Sequence, residues 1–339
     1  SRVIEKLSAD YDIGCVKHCS HSFDFDHEGK DSWKYSKAGA QEVLLNAPGR
    51  WAGYFQHELG KFEKKFKFTQ VDFVLAEGAT EESGDTILLL DDKDLSLDLL
   101  ESGEISDVKA LAGSHKPHNT YGLPWFHRDD VDAISTFVLD NIKAKIPPLK
   151  ALLLTGGKSS RMGQDKAWLN YHGKAQIEFM YELLSEVCSE VYISCRQAQD
   201  YPGFPEDRYL IDVYQNLGPL NGILSAMSVD AQSAWLVAAV DLPFVDSTVV
   251  NDLVTKRNPF KMATAYRSNF KEFPEPLFTV YEPQARHQIF KYMGLGYNCP
   301  RKVLINSPIQ LLDQGQKNWL DNANTSAEFE EICRRMNKQ

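Results

Sequence analysis

The sequence predicts an α/β protein with two domains, the second of which is a doubly wound, mostly parallel sheet. Three observations support this prediction. Between Ala151 and Val240, short apolar runs typical of buried strands alternate with helical patterns. The pair Pro147-Pro148 ends a helical pattern, because proline cannot continue a helix. A chain of 339 residues has room for about two domains of ordinary size. We therefore divide the chain into residues 1–147 and 148–339.

The overall composition is that of a soluble globular protein, with 43% hydrophobic and 25% charged residues. The net charge of −10 argues against nucleic acid as a partner, because broad nucleic-acid binding needs a basic surface. No apolar run approaches the ~20 residues that span a membrane, and we find no secretory signal pattern, so no membrane partner is expected. The six cysteines lack C-x-x-C spacing, which favours reduced thiols and a cytoplasmic location.

In the first domain, the pattern predicts a short helix over 1–7 and a strand over Ile13–Lys17. A second strand is predicted over 71–78, with Glu77 near its end. Residues 61–68 alternate charged and aromatic side chains, which is typical of a half-exposed face. The last helix of the domain begins at Val131 and has one apolar stripe.

In the second domain, two acidic residues, Asp212 and Asp241, follow predicted strands over 209–212 and 234–240. Ligands bind beyond the carboxyl ends of parallel strands, so we expect both carboxylates at the ligand-binding edge. Mg²⁺ prefers one or two carboxylates together with substrate phosphates and water. A turn or helix-cap role is the alternative for Asp212. Asp241 ends the most apolar strand of the domain and is not followed by a capping pattern.

The loop after the first strand of this domain carries the chemistry on which the interpretation depends. Gly156 and Gly157 let a ligand approach the backbone closely, and the cations Lys158, Arg161 and Lys166 can neutralise phosphate oxygens. The spacing is neither that of a dinucleotide fingerprint nor that of a P-loop. A surface turn before a helix is the alternative, but such a turn does not require two glycines, an arginine and a lysine at these offsets.

The string from Leu154 to Lys166, L-T-G-G-K-S-S-R-M-G-Q-D-K, resembles the signature loop of the molybdenum cofactor guanylyltransferases, L-A-G-G-x-S-x-R-M-G-x-D-K. Thr155 replaces the usual alanine. The resemblance implies a Rossmann-like nucleotidyltransferase domain, catalytic roles for Arg161, Lys166 and Asp241, and Mg²⁺ held by Asp241. The paired glycines imply guanine, since cytidylyl-transferring relatives usually have alanine-glycine there. The residues implied at the nucleotide are Leu154, Thr155, Gly156, Gly157, Arg161, Gly163, Lys166, Asp212, Gly218, Pro219, Gly222 and Asp241.

Later segments match the same family at positions that face the acceptor of the transferred group. Residues 274–277 resemble its x-P-L segment, and residues 321–329 resemble its terminal N-x-N-T-P-E-E-L, with Ser326 in place of proline. Thr325 and Glu328 also form a capping-box pattern, which predicts the start of the last helix. The residues that the resemblance implies at the acceptor are Glu275, Arg301, Lys302, Asn322 and Asn324.

Two stretches of the first domain resemble the molybdopterin-guanine dinucleotide biosynthesis adaptor, a small GTP-binding family. Residues 17–26 match its I-K-H-x-x-H-x-x-x-x-D segment and residues 29–40 its G-K-D-S-x-x-x-x-x-A-G-A segment. The resemblance implies a P-loop-NTPase-like fold. The family's first strand and P-loop are expected before Ser1 and are not in this sequence, so GTP binding by this domain does not follow. The residues implied at its site are Ser1, His18, Asp24, Asp26 and Glu77.

Together, the resemblances imply transfer of GMP from GTP to molybdopterin or its molybdenum form, with release of pyrophosphate. They also imply an adaptor domain that assists delivery to molybdoenzymes or their chaperones, and a homodimer through that domain. Two alternatives remain open. One is a CTP-using cytidylyltransferase, or another nucleotidyltransferase of the same fold, and the other is a non-catalytic GTP-binding delivery protein.

Overall fold

The computed structural model describes residues 1–19, 26–57, 59–78, 84–93, 95–155, 165–195, 201–269, 272–315, 318–322 and 325–336. The chain divides into two compact units, Ser1–Ala144 and Lys145–Gln339. Within the described residues, none of the helices is both long and apolar enough to cross a membrane.

The first unit contains helices α1 (Arg2–Leu7), α2 (Asp31–Lys37), α3 (Lys61–Lys67), α4 (Ser96–Glu101) and α5 (Val131–Lys143). Its strands are β1 (Ile13–Lys17), β2 (Glu42–Ala47), β3 (Arg50–Phe55), β4 (Phe73–Glu77), β5 (Thr86–Leu89), β6 (Val108–Gly113) and β7 (Trp125–His127). The predicted strand at Ile13–Lys17 and the strand that ends at Glu77 are both confirmed.

The described strands of the first unit form small sheets. β1 and β4 run parallel, with Lys17 opposite Glu77, and β2 pairs with β3 in an antiparallel hairpin. β5, β6 and β7 form a parallel sheet whose core contains Leu88, Leu90 and Leu111. Parallel strands alternating with helices agree with the α/β class predicted for this unit.

The second unit contains strands β8 (Leu149–Leu154), β9 (Val191–Cys195), β10 (Tyr209–Ile211), β11 (Ala234–Ala239), β12 (Ala263–Arg267), β13 (Pro274–Tyr281) and β14 (Ile309–Leu312). Its helices are α6 (Gln176–Ser185), α7 (Leu220–Val229), α8 (Ser247–Thr255), α9 (Ala285–Gly294), α10 (Pro300–Ile305) and α11 (Ser326–Met336). The capping box that opens α11 is confirmed, since the Glu328 amide donates to Thr325 Oγ1 at 3.2 Å and the Thr325 amide to Glu328 Oε2 at 3.1 Å.

These strands form one seven-stranded sheet in the order β10-β9-β8-β11-β13-β12-β14. β10, β9, β8 and β11 run parallel, and β13 runs antiparallel to both of its neighbours. Ala151 and Leu153 belong to one buried apolar cluster and Leu152 to another, because successive side chains of a strand point to opposite faces. Apolar cores therefore cover both faces, which confirms the doubly wound, mostly parallel sheet.

The reversed strand β13 has a direct effect on the ligand-binding edge. Its amino-terminal end lies beside the carboxyl end of β11, with Phe278 opposite Ala238 in the register. Glu275, near the start of β13, therefore lies at the edge where the parallel strands end.

A buried ion pair joins three elements of the second unit. The Arg257 guanidinium donates to both carboxylate oxygens of Glu282, at 2.7 and 2.8 Å, and to the Pro147 carbonyl at 2.9 Å. Glu282 is fully buried, at 0% exposure. Burial raises the pKa of the Glu282 carboxyl, and the Arg257 guanidinium opposes that rise. The pair ties the residues after α8 and β13 to the segment before β8.

Candidate active site

The signature loop begins at the carboxyl end of β8, where Leu154 is followed by Thr155. The Thr155 side chain is buried, and its hydroxyl donates to the Ser194 carbonyl on β9 at 2.6 Å. The hydroxyl that distinguishes this chain from the usual alanine therefore fixes the start of the loop to the neighbouring strand. The predicted residues Gly156, Gly157, Arg161 and Gly163 lie outside the described residues.

Lys166 begins a short 3₁₀ turn over Lys166–Trp168. Asp165 begins this turn, because its carboxylate accepts a hydrogen bond from the Ala167 amide at 3.0 Å. The hydroxyl of the buried Tyr201 donates to the other oxygen of Asp165 at 2.9 Å. These two contacts fix the backbone from which the Lys166 side chain extends.

Lys166 and Asp241 meet although 75 residues separate them in the chain. Lys166 Nζ lies 2.7 Å from Asp241 Oδ2, and the two side chains are 18% and 21% exposed. Asp241 follows β11, which is the parallel neighbour of β8. The structure thus brings together two of the three predicted catalytic residues at the carboxyl ends of adjacent strands.

Asp241 begins the carboxylate loop, Asp241-Leu242-Pro243-Phe244, and side chains from elsewhere hold each of its residues. Lys166 pairs with the first residue. Gln176 Nε2 donates to the Leu242 carbonyl at 3.4 Å, and His172 Nε2 donates to the Pro243 carbonyl at 3.0 Å. The guanidinium of Arg335 lies over the Phe244 ring, 4.7 Å from its centroid. These contacts fix the direction in which the Asp241 carboxylate points.

His172 supports the loop as a neutral side chain. Its ring stacks on Phe179, with the centroids 3.6 Å apart. Burial lowers the pKa of His172 from its ordinary value of 6.5, and its hydrogen bond to Pro243 only partly opposes that effect. At neutral pH the imidazole is therefore uncharged, and it donates from Nε2 because a carbonyl can only accept.

The donor set at this edge fits a magnesium ion bound jointly with substrate. Asp241 provides a partly exposed carboxylate at the end of a parallel strand. No group of three His, Cys, Asp or Glu side chains that could hold a metal occurs among the described residues. A single carboxylate suits Mg²⁺, which takes its remaining ligands from phosphates and water.

The other predicted end of the nucleotide site lies after β10. Ser194 Oγ on β9 donates to Asp212 Oδ1 at 2.9 Å. The turn that follows contains Gly218, whose φ of +59° is the left-handed conformation that favours glycine. Pro219 then precedes α7, and Gly222 lies in the first turn of that helix. The G-P-L-N-G segment thus opens a helix beside Asp212, as the pattern predicted.

At Gly222, α7 packs tightly against β8 and β9. A Cβ at Gly222 would lie 2.5 Å from Ser194 Oγ and 2.7 Å from Leu154 Cδ2. We expect Gly222→Ala to destabilise the second unit by roughly 1–3 kcal/mol, because the added methyl group forces the helix away from the strands. Nucleotide affinity should fall as well, because Ser194 holds Asp212. Thermal unfolding and titration with GTP measure the two effects.

Gly294→Ala is the matched control, because a Cβ there meets no atom within 4 Å. This change should leave nucleotide affinity unaltered and stabilise α9 by up to about 1 kcal/mol. Equal behaviour of the two variants would contradict the packing argument.

A cavity of about 710 Å³ opens beside the carboxylate loop and brings together residues predicted to bind the acceptor. Asp241, Glu275, Arg301 and Asn322 all line it, together with several side chains of α11. Arg301 Nη2 donates to Glu275 Oε2 at 3.3 Å. The Arg301 Nε–H is buried and has no hydrogen-bond partner within the described part of the chain.

For two predicted acceptor residues, the structure does not show a place in this cavity. The Lys302 ammonium lies over the ring of Tyr297, 5.5 Å from its centroid, and Lys302 is not among the residues that line the cavity. Asn324 lies outside the described residues.

In the first unit, β1 and β4 end side by side, and two predicted residues are located at their ends. The amide of His18 donates to the carbonyl of Glu77 at 2.9 Å. Asp26 accepts a hydrogen bond of 3.0 Å from a hydroxyl of α2. Ser1 directly precedes α1, and Asp24 lies outside the described residues.

Sequence reasoning missed four residues that support the site: His172, Gln176, Tyr201 and Arg335. Their contacts with the loops are made by chain segments distant in sequence, and periodicity carries no signal for such contacts. His172 and Gln176 flank a Gly-Lys turn before a predicted helix, which is a weak signal for a structured approach to the site.

Comparisons with known proteins find one family match in each part of the chain. Residues 1–112 match the family described as molybdopterin guanine dinucleotide synthesis protein B, or MobB. Residues 151–308 match the family described as the MobA-like NTP transferase domain.

Individual relatives have related names. A molybdenum cofactor biosynthesis bifunctional protein of a Synechocystis species is 35% identical over 187 residues, which is 55% of this chain and 54% of the relative. The chain thus spans about half the length of that relative. A probable molybdenum cofactor guanylyltransferase of Clostridium perfringens is 28% identical over 195 residues, covering 55% of this chain and 96% of the relative.

Among solved structures, molybdopterin-guanine dinucleotide biosynthesis protein A from Archaeoglobus fulgidus is similar to 56% of this chain over 100% of its own length. Its sequence identity is 21% and its TM-score is 0.46. The two family matches do not overlap in the sequence. The N-terminal part of the chain is therefore similar to the MobB family, and the C-terminal part is similar to the MobA-like NTP transferase family.

Proposed function

We propose that residues 148–339 transfer GMP from GTP to the terminal phosphate of molybdopterin or its molybdenum form, with release of pyrophosphate. The observation that carries this proposal is the Lys166–Asp241 pair, at 2.7 Å, in which Asp241 follows β11 and lines a cavity of about 710 Å³. A cation paired with a carboxylate beside this cavity supports a site at which donor and acceptor phosphates meet. The relatives named as guanylyltransferases support guanine as the base.

The reaction needs no protein nucleophile. An oxygen of the acceptor phosphate forms a bond to the α-phosphorus of GTP, the bond from that phosphorus to the β-phosphate bridging oxygen breaks, and pyrophosphate leaves with the electron pair. Because both reactants are anions, positioning and charge neutralisation determine the rate. Lys166 neutralises charge on the transferring group, and Asp212 lies in the region proposed for guanine. Arg161 is proposed to assist Lys166.

Mg²⁺ is the proposed cofactor, with Asp241 as its protein ligand. When bound, the ion supplies charge neutralisation to the phosphates. The support for this assignment is the single, partly exposed carboxylate, which pairs with Lys166 at 2.7 Å.

Incubation of the full chain with molybdopterin, Mg²⁺ and one of GTP, CTP, ATP or UTP tests the proposal. Release of pyrophosphate with GTP alone is the expected result. Release with CTP would show a cytidylyltransferase instead, and GTP binding without transfer would show a delivery protein. Replacing Mg²⁺ with a chelator should abolish turnover.

We further propose that residues 1–147 form the adaptor domain, which assists delivery of the product to molybdoenzymes or their chaperones, and that the protein acts in the cytoplasm. Ser1, His18, Asp24, Asp26 and Glu77 are its proposed site residues. The six cysteines, all within the described residues, form no disulfide with one another, which suits a reducing compartment.

The β2–β3 hairpin of the first unit supports a homodimer. It exposes Leu45 (51%) on one face, and it exposes Leu44 (59%) and Trp51 (69%) together on the other. A two-stranded hairpin has little independent stability, and a second copy of the chain could cover the face with Leu44 and Trp51 and pair with the edges of the hairpin.

Trp51→Glu is therefore expected to convert a dimer into a monomer, because it places a charge in the covered face. Sedimentation velocity of the full chain measures this change. Leu95→Glu is the control, since Leu95 is similarly exposed, at 60%, elsewhere in the same unit. A monomeric wild type, or a dimeric Trp51→Glu variant, would refute the dimer.

A further inference from the structure

Arg335 is a cation of the acceptor cavity that no sequence pattern identified. It lies in the last turn of α11 and lines the cavity together with Arg301 of α10. Its side chain is 40% exposed, and both terminal nitrogens lie 3.4 Å from Asp321 Oδ2. The same guanidinium lies over the ring of Phe244, in the loop that begins with Asp241.

The ion pairs of this cavity differ from the structural ion pair of the same unit. Arg257 contacts both oxygens of the buried Glu282 at 2.7 and 2.8 Å. Arg335 instead contacts a single oxygen of Asp321, at the long end of the hydrogen-bond range. A guanidinium has five N–H donors in a planar fork that matches phosphate. Among the contacts of the described residues, those of Arg335 hold the guanidinium in place and leave some of its N–H donors unused.

Each of the five carboxylates that line the cavity has a donor: Asp241 pairs with Lys166, and Asp321 pairs with Arg335. Glu275 pairs with Arg301 at 3.3 Å, and Glu331 lies 3.5 Å from Arg334, which points away from the cavity lining. Glu328 caps the start of α11. Each of these carboxylates has a donor of its own, so a phosphate would compete for Arg335 with Asp321.

We propose that Arg335 binds the phosphomonoester of the acceptor and thereby determines that the cavity takes a phosphorylated pterin in preference to the same pterin without phosphate. This assignment rests on the proposed function and names a specificity-determining residue for it. Because Arg335 also contacts Phe244, a phosphate bound to it lies on the side of the cavity formed by the carboxylate loop. The phosphate is thereby placed toward Asp241, where the proposed transfer occurs.

Fluorescence titration of the full chain with hydroxymethylpterin phosphate and with unphosphorylated hydroxymethylpterin tests the assignment. Arg335→Gln is expected to weaken binding of the phosphorylated pterin by about tenfold or more. This is the loss of affinity that corresponds to the free energy of one hydrogen bond to a charged group. Binding of the unphosphorylated pterin should change by less than about twofold. Arg335→Lys, which keeps the charge, should retain part of the preference.

Arg334→Gln is the matched control, because Arg334 is the preceding residue of the same helix and is 67% exposed. It should bind both pterins as the wild type does. The assignment is overturned if Arg335→Gln still binds the phosphorylated pterin more tightly to the same extent, or if it lowers the affinity for both pterins equally. It is also overturned if the wild type binds the two pterins with the same affinity. Since the titration needs no GTP, a chain that binds the phosphate through Arg335 but transfers no GMP would refute only the proposed function.

Discussion

Asp241→Asn is expected to lower GMP transfer by about a thousandfold while the fold stays intact. The asparagine keeps the shape of the side chain and loses the charge that would hold a magnesium ion. At ~4 Å and an effective dielectric constant of ~20, two unit charges interact by about 4 kcal/mol, which corresponds to about a thousandfold in rate. Steady-state turnover with GTP, Mg²⁺ and molybdopterin measures the loss. Turnover within about tenfold of the wild type would remove Asp241 from the mechanism.

Asp246→Ala serves as the control, because we expect it to lower stability and to leave turnover unchanged. Asp246 begins α8, where its carboxylate accepts a hydrogen bond from the Val249 amide at 3.0 Å. Loss of this cap should cost about 1 kcal/mol and lower the melting temperature by roughly 2–4 °C, without affecting turnover. Asp241→Asn should change the melting temperature by no more than that, since the Lys166–Asp241 pair is partly exposed to solvent.

Glu282→Gln is expected to have the largest effect on stability. It leaves the Arg257 guanidinium, which is 12% exposed, without its charge partner. Breaking a buried pair from one side costs about 3–5 kcal/mol, which lowers the melting temperature of a unit of this size by roughly 6–20 °C. Thermal unfolding of the full chain measures the change, in the same transition that Asp246→Ala shifts.

Two further variants separate the buried pair from ion pairs in general. Asp313→Asn removes the exposed partner of Arg267, whose own side chain is 40% exposed, and should change stability by less than about 1 kcal/mol. The double variant Arg257→Met, Glu282→Leu should recover much of the loss, because apolar residues of similar volume replace a buried pair well. A Glu282→Gln variant as stable as Asp313→Asn would contradict this account.

The sequence was sufficient to predict the class of the fold and the strands that carry the site. Buried parallel strands such as β8 and β11 are continuous apolar runs, and the polar residue that ends each run is visible directly. Thus Asp241 and the signature loop could be placed at one edge of the sheet from pattern alone. Their residue-by-residue roles came from the family resemblance.

Contacts between distant segments could not be predicted. The pairing of Lys166 with Asp241 depends on β8 and β11 being neighbours, which local periodicity does not report. The reversal of β13 depends on which partners its edges find in the sheet, and the position of Arg335 depends on how α11 packs. Each of these features is decided by tertiary packing and not by a local preference.

Because β13 is reversed, the proposed nucleotide-side and acceptor-side residues come from strands that run in opposite directions. Nucleotide-side positions come from strands that enter the sheet in the common direction, whereas Glu275 follows the connection from β12 and reaches the same edge from the other direction. A longer or shorter connection would change the part of the proposed acceptor cavity that contains Glu275. The proposed nucleotide-binding residues would not change. Evolution could thus alter acceptor choice by editing a single turn, without rebuilding the catalytic centre.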